Sequence, residues 1–87
     1  MLSSPKVLVV DDDRYLAAMA RQTLEADGIT VEVASNGAEA LRTAKWFGPD
    51  VIVLDTMMPV VDGIEALARL RRGDQHQDTP VLMLTSL

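Results

Sequence analysis

The sequence predicts a small α/β domain with a parallel sheet sandwiched between helices, and three observations carry that prediction. Residues 7–10 (Val-Leu-Val-Val) and 51–54 (Val-Ile-Val-Leu) are apolar without alternation, the pattern of strands buried on both faces. Segments with helical spacing separate the strand-like segments in strict alternation, which implies right-handed βαβ crossovers. Both apolar runs end in aspartates, Asp11-Asp12-Asp13 and Asp55. Carboxylates are thereby set at one rim of the sheet, the rim where ligands bind in open α/β folds.

The elements follow in order. The first strand is Val7 to Val10. From Arg14 to about Ala26, Leu16, Met19, Ala20 and Leu24 recur at helical spacing, and Asp27-Gly28 supplies a stop. Thr30 to Ala34 alternates Val31 and Val33 with Glu32, which suits a less buried strand at a sheet edge. Asn36 followed by Glu39 has capping-box spacing, Ala40, Leu41 and Ala44 form an apolar stripe, and Gly48-Pro49 ends that helix. Trp46 and Phe47 close it and are expected to cover apolar surface. The third strand, ending at Leu54, is apolar throughout and should be central. A loop containing Pro59 follows, then Asp62 and Glu65 repeat the capping-box spacing ahead of a third helix marked by Ile64, Leu67, Ala68 and Leu70. Residues 73–79 read as a polar loop, in which His76 is an ordinary exposed histidine, and residues 80–85 (Pro-Val-Leu-Met-Leu-Thr) read as a fourth buried-type strand.

Composition narrows the function. Eighty-seven residues make a single domain that buries only roughly 60–65% of its unfolded surface, so its stability is marginal. There is no cysteine, which excludes disulfides and thiolate metal sites and suits the cytoplasm. A net charge of −5 argues against a nucleic-acid surface. The one cluster of cations, Arg69, Arg71 and Arg72, sits where a helix C-terminus would favour it. No apolar run approaches the ~20 residues of a membrane span, and no signal-peptide pattern precedes the first strand. The expectation is a soluble cytoplasmic domain with no direct nucleic-acid or membrane partner.

If the first and third strands are neighbours, Asp11, Asp12 and Asp55 meet across a spacing of ~4.8 Å. Asp11 and Asp12 both face that point only if the chain turns there, because side chains alternate along a strand. Three hard oxygen donors suit Mg²⁺, which binds one or two carboxylates, keeps several waters and recruits phosphate oxygens. A carboxylate beside such a metal is a competent nucleophile towards phosphorus.

The first strand with its three aspartates, the start Asn36-Gly37-x-Glu39-Ala40-Leu41, the segment Leu54-Asp55-x-Met57-Met58-Pro59-x-x-Asp62-Gly63, and the fourth strand together resemble the receiver domain of two-component response regulators. The resemblance runs through the whole chain in order. It implies a flavodoxin-like doubly wound sheet, here βαβαβαβ in the order 2-1-3-4, within a single domain spanning residues 1–87. It further implies that Asp55 is the phosphoacceptor, that Asp12 ligates Mg²⁺ directly with Asp11 beside it acting through water, and that the backbone carbonyl of Met57 completes the metal site. Thr85 matches the hydroxyl that turns towards the phosphoryl group, and Ser86 matches a small-residue position next to it. Asp13 has no such counterpart and is expected to begin the first helix. The implied donor is a sensor histidine kinase, and the role is that of a signalling receiver in a phosphorelay, not of an enzyme.

The same resemblance implies a receiver truncated after its fourth strand, lacking helix four, strand five, helix five and the lysine that ends strand five. Neither Lys6, at the opposite rim, nor Lys45, near the end of the second helix, is placed to replace that lysine. Half of one sheet face is then expected to lack cover and the fourth strand to form an open apolar edge, which favours self-association through that strand or that face. The alternative function is accordingly a receiver fragment or interaction module that keeps the fold and has lost the phosphorylation switch. A Mg²⁺ phosphohydrolase of the aspartyl-phosphate type, suggested by Asp11-x-Asp13, ranks last because Tyr15 stands where such enzymes want Thr or Val.

Overall fold

The computed structural model describes residues 4–55, 63–73 and 77–84. Its elements are β1 (Lys6–Val10), α1 (Arg14–Ala26), β2 (Thr30–Ala34), α2 (Gly37–Phe47), β3 (Val51–Asp55), α3 (Gly63–Arg72) and β4 (Val81–Leu84). The four strands form one sheet in the order β2-β1-β3-β4, every pairing parallel, as expected of the flavodoxin-like arrangement. Register places Val10 beside Ala34 on one flank and beside Leu54 on the other, and Asp55 beside Leu84. The carboxyl ends of β1 and β3 therefore finish level with each other.

The pleat sends alternate residues to two cores. Leu8, Val10, Ile52 and Leu54 pack with Ala40, Ala44 and Phe47 of α2 and Leu70 of α3. Val7, Val9 and Val31 face the other way, towards Ala20 and Leu24 of α1. All four apolar residues of β1 are buried, so this strand is covered on both faces as its sequence predicts.

β3 departs from that expectation. Ile52 and Leu54 are fully buried, but Val51 and Val53 on the α1 side are only half-buried. Next to them Leu82, the register partner of Val53, is 60% exposed. The physical reason is coverage: α1 lies over β1 and β2, so shielding on that face fades from β1 through β3 to β4. Leu16 and Met19 of α1 are also about half exposed, at 52% and 48%. Among the described residues, the α1 side of the sheet is therefore less covered over β3 and β4 than over β1.

The helix ends obey local chemistry. Asp13 is the N-cap of α1, its Oδ1 accepting from the backbone N–H groups of Tyr15 and Leu16 at 3.0 and 3.1 Å. At the other end Gly28 adopts φ +83°, its N–H reaching the Glu25 carbonyl while the Ile29 N–H reaches that of Leu24. This paired closure requires the left-handed backbone that glycine adopts without strain. Asn36 caps α2 through a 2.8 Å bond from the Glu39 N–H. The predicted capping box is only half formed, because the Glu39 carboxylate accepts from the Ser35 hydroxyl at 2.8 Å instead.

Trp46 is the other correction. Phe47 is buried, but Trp46 is 67% exposed and meets Phe47 edge-on at 5.8 Å between centroids. Successive helical residues point about 100° apart, so only one of the pair faces the sheet. In α3, Glu65 and Arg69 form an exposed i,i+4 pair at 2.8 Å, and Arg71 donates to the Gln77 carbonyl. The predicted caps and loop residues Asp62 and His76 lie outside the described residues.

The burial contrast has a direct consequence. Leu54→Ala is expected to lower the free energy of unfolding by about 3 kcal/mol, and Asp13→Ala by ~1 kcal/mol. Leu82→Ala should change it by no more than about 0.5 kcal/mol. Urea titration of dilute protein followed by circular dichroism gives all three values.

Candidate functional site

The site forms where β1 and β3 end side by side. Hydrogen bonding to β2 carries on one residue past β1, with the Asp11 N–H donating to the Ala34 carbonyl at 3.0 Å, so Asp11 is anchored by the sheet itself. The chain then bends at Asp12, and the Asp13 N–H donates to Asp11 Oδ1 at 2.9 Å. That turn is what the sequence required for Asp11 and Asp12 to face one point. Asp55 arrives from the neighbouring strand as the last residue of β3.

As a result, one carboxylate oxygen from each of Asp11, Asp12 and Asp55 falls within 4.8 Å of the other two. Asp11 and Asp55 are half-buried and Asp12 is exposed. Asp13, the fourth aspartate, is held by the N-terminus of α1 and takes no part in the cluster. The triple aspartate is thereby divided into two members of the cluster and one cap.

Three carboxylates this close repel one another. Burial pushes the Asp11 carboxyl above its usual range, the bond from the Asp13 N–H pulls it down, and the neighbouring charges of Asp55, Asp12 and Asp13 push it up again. A divalent cation would relieve that penalty. Oxygens ligating one octahedral Mg²⁺ at 2.0–2.1 Å lie about 2.9 Å apart when cis and about 4.2 Å apart when trans, so three carboxylate oxygens within 4.8 Å of one another are near enough to share the ion by closing in on it or through a retained water. The donors are all hard oxygens, and the exposed side at Asp12 leaves room for the waters that Mg²⁺ retains. The residues fit the ion.

Other expected site residues have different standing. Met57, Thr85 and Ser86 lie outside the described residues, although Leu84, which precedes Thr85, is the register partner of Asp55. Lys6 lies at the opposite rim, as expected. Its Nζ donates to the Phe47 carbonyl at 3.2 Å and sits 5.7 Å from that ring's centroid, so it serves the C-terminus of α2. Arg14 is exposed. Tyr15, the residue that spoke against a phosphohydrolase, is 74% exposed in the first turn of α1 next to Asp13. Among the described residues, no helix is long and apolar enough to cross a membrane.

Comparison with known proteins agrees with this fold. The transcriptional regulatory protein PrrA of Mycobacterium leprae is 47% identical over 85 residues, 98% of this chain and 36% of that protein. The chain thus spans about a third of the length of the curated relatives it matches. Among solved structures, the chemotaxis protein CheY4 of Vibrio cholerae superposes with a TM-score of 0.94 at 41% identity, covering 98% of this chain and 71% of that one. The receiver domain of the Francisella response regulator 1452 gives 0.87 at 45% identity, covering 97% and 68%. Residues 7–87 match the response regulator receiver domain. The chain belongs to that family, a homologue of the receivers through which two-component systems carry out phosphorelay signalling.

Proposed function

We propose that the chain accepts a phosphoryl group on Asp55 from the phosphohistidine of a sensor histidine kinase in the cytoplasm. The observation that carries the reading is the convergence of Asp11, Asp12 and Asp55 at the shared rim of β1 and β3. Asp55 Oδ forms a bond to phosphorus as the phosphorus–nitrogen bond of the donor breaks, and the departing imidazole nitrogen takes up a proton. Asp11, Asp12 and Asp55, with the backbone carbonyl of Met57, are the residues that would hold Mg²⁺. Bound there, Mg²⁺ would offset charge on the transferred phosphoryl oxygens. The Thr85 hydroxyl is assigned the switching contact to a phosphoryl oxygen. In this role the chain is a substrate and carrier of the signal and not an enzyme.

A second reading, an interaction module that associates with itself through β4 or the uncovered sheet face, is favoured by one observation. Leu82 is 60% exposed on β4, a strand that carries no charge and is outermost among the described strands.

Incubation with Mg²⁺ and a small phosphodonor such as acetyl phosphate should add one phosphoryl group by intact mass. Asp55→Asn, or chelation of the metal, should abolish the addition. An unchanged mass, under conditions that label a full-length receiver, would refute the phosphoacceptor role.

Asp11 gives a second test. Its carboxyl is raised in the folded state, so the neutral form is favoured on folding. Its contribution is therefore most favourable below the ordinary carboxylate range and is lost as the pH rises through the raised value. In metal-free buffer Asp11→Asn should melt a few degrees higher than the parent chain at pH 7, with the gap closing as the pH falls through the carboxylate range. Adding Mg²⁺ should raise the melting temperature of the parent and leave the variant nearly unmoved.

A further inference from the structure

We infer that Asp13 is a positioning residue for the cation site. By capping α1 it fixes the turn whose backbone N–H orients the Asp11 carboxylate, so Mg²⁺ binding and closure of the first turn of α1 stabilise each other. This rests on the reading above that Asp11, Asp12 and Asp55 hold the ion, and it adds a residue that does not touch it.

Two side-chain turns run in succession along this segment and share one residue. In the first, Asp11 Oδ1 accepts from the Asp13 N–H at 2.9 Å, an aspartate closing on the backbone two residues ahead, with Asp12 at the bend between them. In the second, Asp13 Oδ1 accepts from the N–H groups of Tyr15 and Leu16 at 3.0 and 3.1 Å. The Asp13 carbonyl accepts from the Ala17 N–H at 3.0 Å, the first bond of the helix. Asp13 therefore serves the cluster with its N–H and the helix with its carboxylate and carbonyl. Its extended backbone, at φ −83° and ψ 105°, is held by the bonds on the helix side.

Without that carboxylate, the Tyr15 and Leu16 N–H groups turn to water and the first turn of α1 frays. Asp13 then loses the bonds that hold its φ and ψ, and its N–H no longer stays aimed at Asp11. The sheet cannot make good the loss, because it anchors only the backbone of Asp11, through the bond to Ala34. Among the described residues, the Asp13 N–H is the sole donor to the Asp11 carboxylate. Asp12 lies between the two anchors, so the same turn sets its direction, while Asp55 comes from β3 and needs no such turn. Asp13 also brings a fourth negative charge near the cluster, and that field attracts a cation by itself. The two effects are separable: Asn and Ser cap a helix without the charge, and Glu carries the charge without being a favoured cap.

Titration with Mg²⁺, followed through the amide NMR signals, tests the coupling. Asp13→Ala should raise the Mg²⁺ dissociation constant about 10-fold, the effect of losing an orienting partner. Asp13→Asn and Asp13→Ser should stay within about 3-fold of the parent at about 0.15 M salt, where a lost surface charge is screened. Asp13→Glu should bind nearly as weakly as Asp13→Ala. Gly28→Ala strains the opposite end of α1, where φ is +83°, and should melt a few degrees lower while binding Mg²⁺ as the parent does. By reciprocity, saturating Mg²⁺ should slow hydrogen exchange at the Tyr15 and Leu16 N–H groups of the parent about 10-fold. Equal affinity in Asp13→Ala and the parent, or exchange unchanged by Mg²⁺, would overturn the inference and leave the three-carboxylate site standing. So would a loss shared by Ala, Asn and Ser but spared in Glu, the mark of charge alone. A parent chain that binds no Mg²⁺ would overturn the site reading and this inference with it.

Discussion

The β1–β3 pairing is the interaction on which the remaining structure depends. β1 has both of its neighbours later in the sequence, with β2 on one flank and β3 on the other. The order of strands reverses at β1, and in doubly wound sheets the crevice at such a reversal is where loops part and a site opens. Register adds the rest: Val10 lies beside Leu54, so the residues that follow each strand emerge at the same height. A slip of one residue would send the side chains of one strand to the opposite faces and separate Asp55 from Asp11. The alternation of Leu8, Val10, Ile52 and Leu54 towards one core and Val7 and Val9 towards the other is what fixes that register.

The site is built against the stability of its own scaffold. Asp11 is tied by backbone bonds on both sides, from its N–H to Ala34 and from the Asp13 N–H to its carboxylate. It therefore has little freedom to swing away from Asp12 and Asp55, and the repulsion is held in place. Asp13 escapes because four aspartates in one place would be worse than three, and the N-terminus of α1 offers it backbone donors and a favourable dipole. Nearby charge is thus sorted by backbone geometry into a stabilising cap and a strained cluster. Such a cluster is the arrangement in which a cation gains most from binding.

Most of this was legible in the sequence because it is written in local patterns. Unbroken apolar runs mark β1 and β3, Gly28 and Gly48 mark helix ends, and the two aspartate signals mark the rim. What escaped depends on relations between distant elements. The half-burial of Val51 and Val53 follows from where α1 lies across the sheet, which no window around β3 contains. The exposure of Trp46 follows from the rotation of α2 about Phe47, and hydrophobicity alone ranks the two aromatics alike. The incomplete capping box at Asn36 reflects competition from Ser35, a neighbour that the spacing rule ignores. The site carboxylates were found from residue type and strand ends, and the family resemblance added roles for Met57 and Thr85 that their side chains alone do not announce.

The backbone of Lys6 donates to Asp50 and receives the Asp50 N–H in return, across 44 residues of chain. This clasp at the base of the sheet has a consequence for synthesis. A ribosome makes β1 well before β3, reaching Asp50 44 residues after Lys6 at roughly 5–20 residues per second. β1, apolar on both faces, leaves the exit tunnel seconds before the strand that will sit against it and close the long loop. During that interval the most buried segment of the finished domain is the most exposed segment of the nascent one. The folding hazard of this topology therefore lies at its amino-terminal end, in a strand that looks beyond reproach once the sheet is complete.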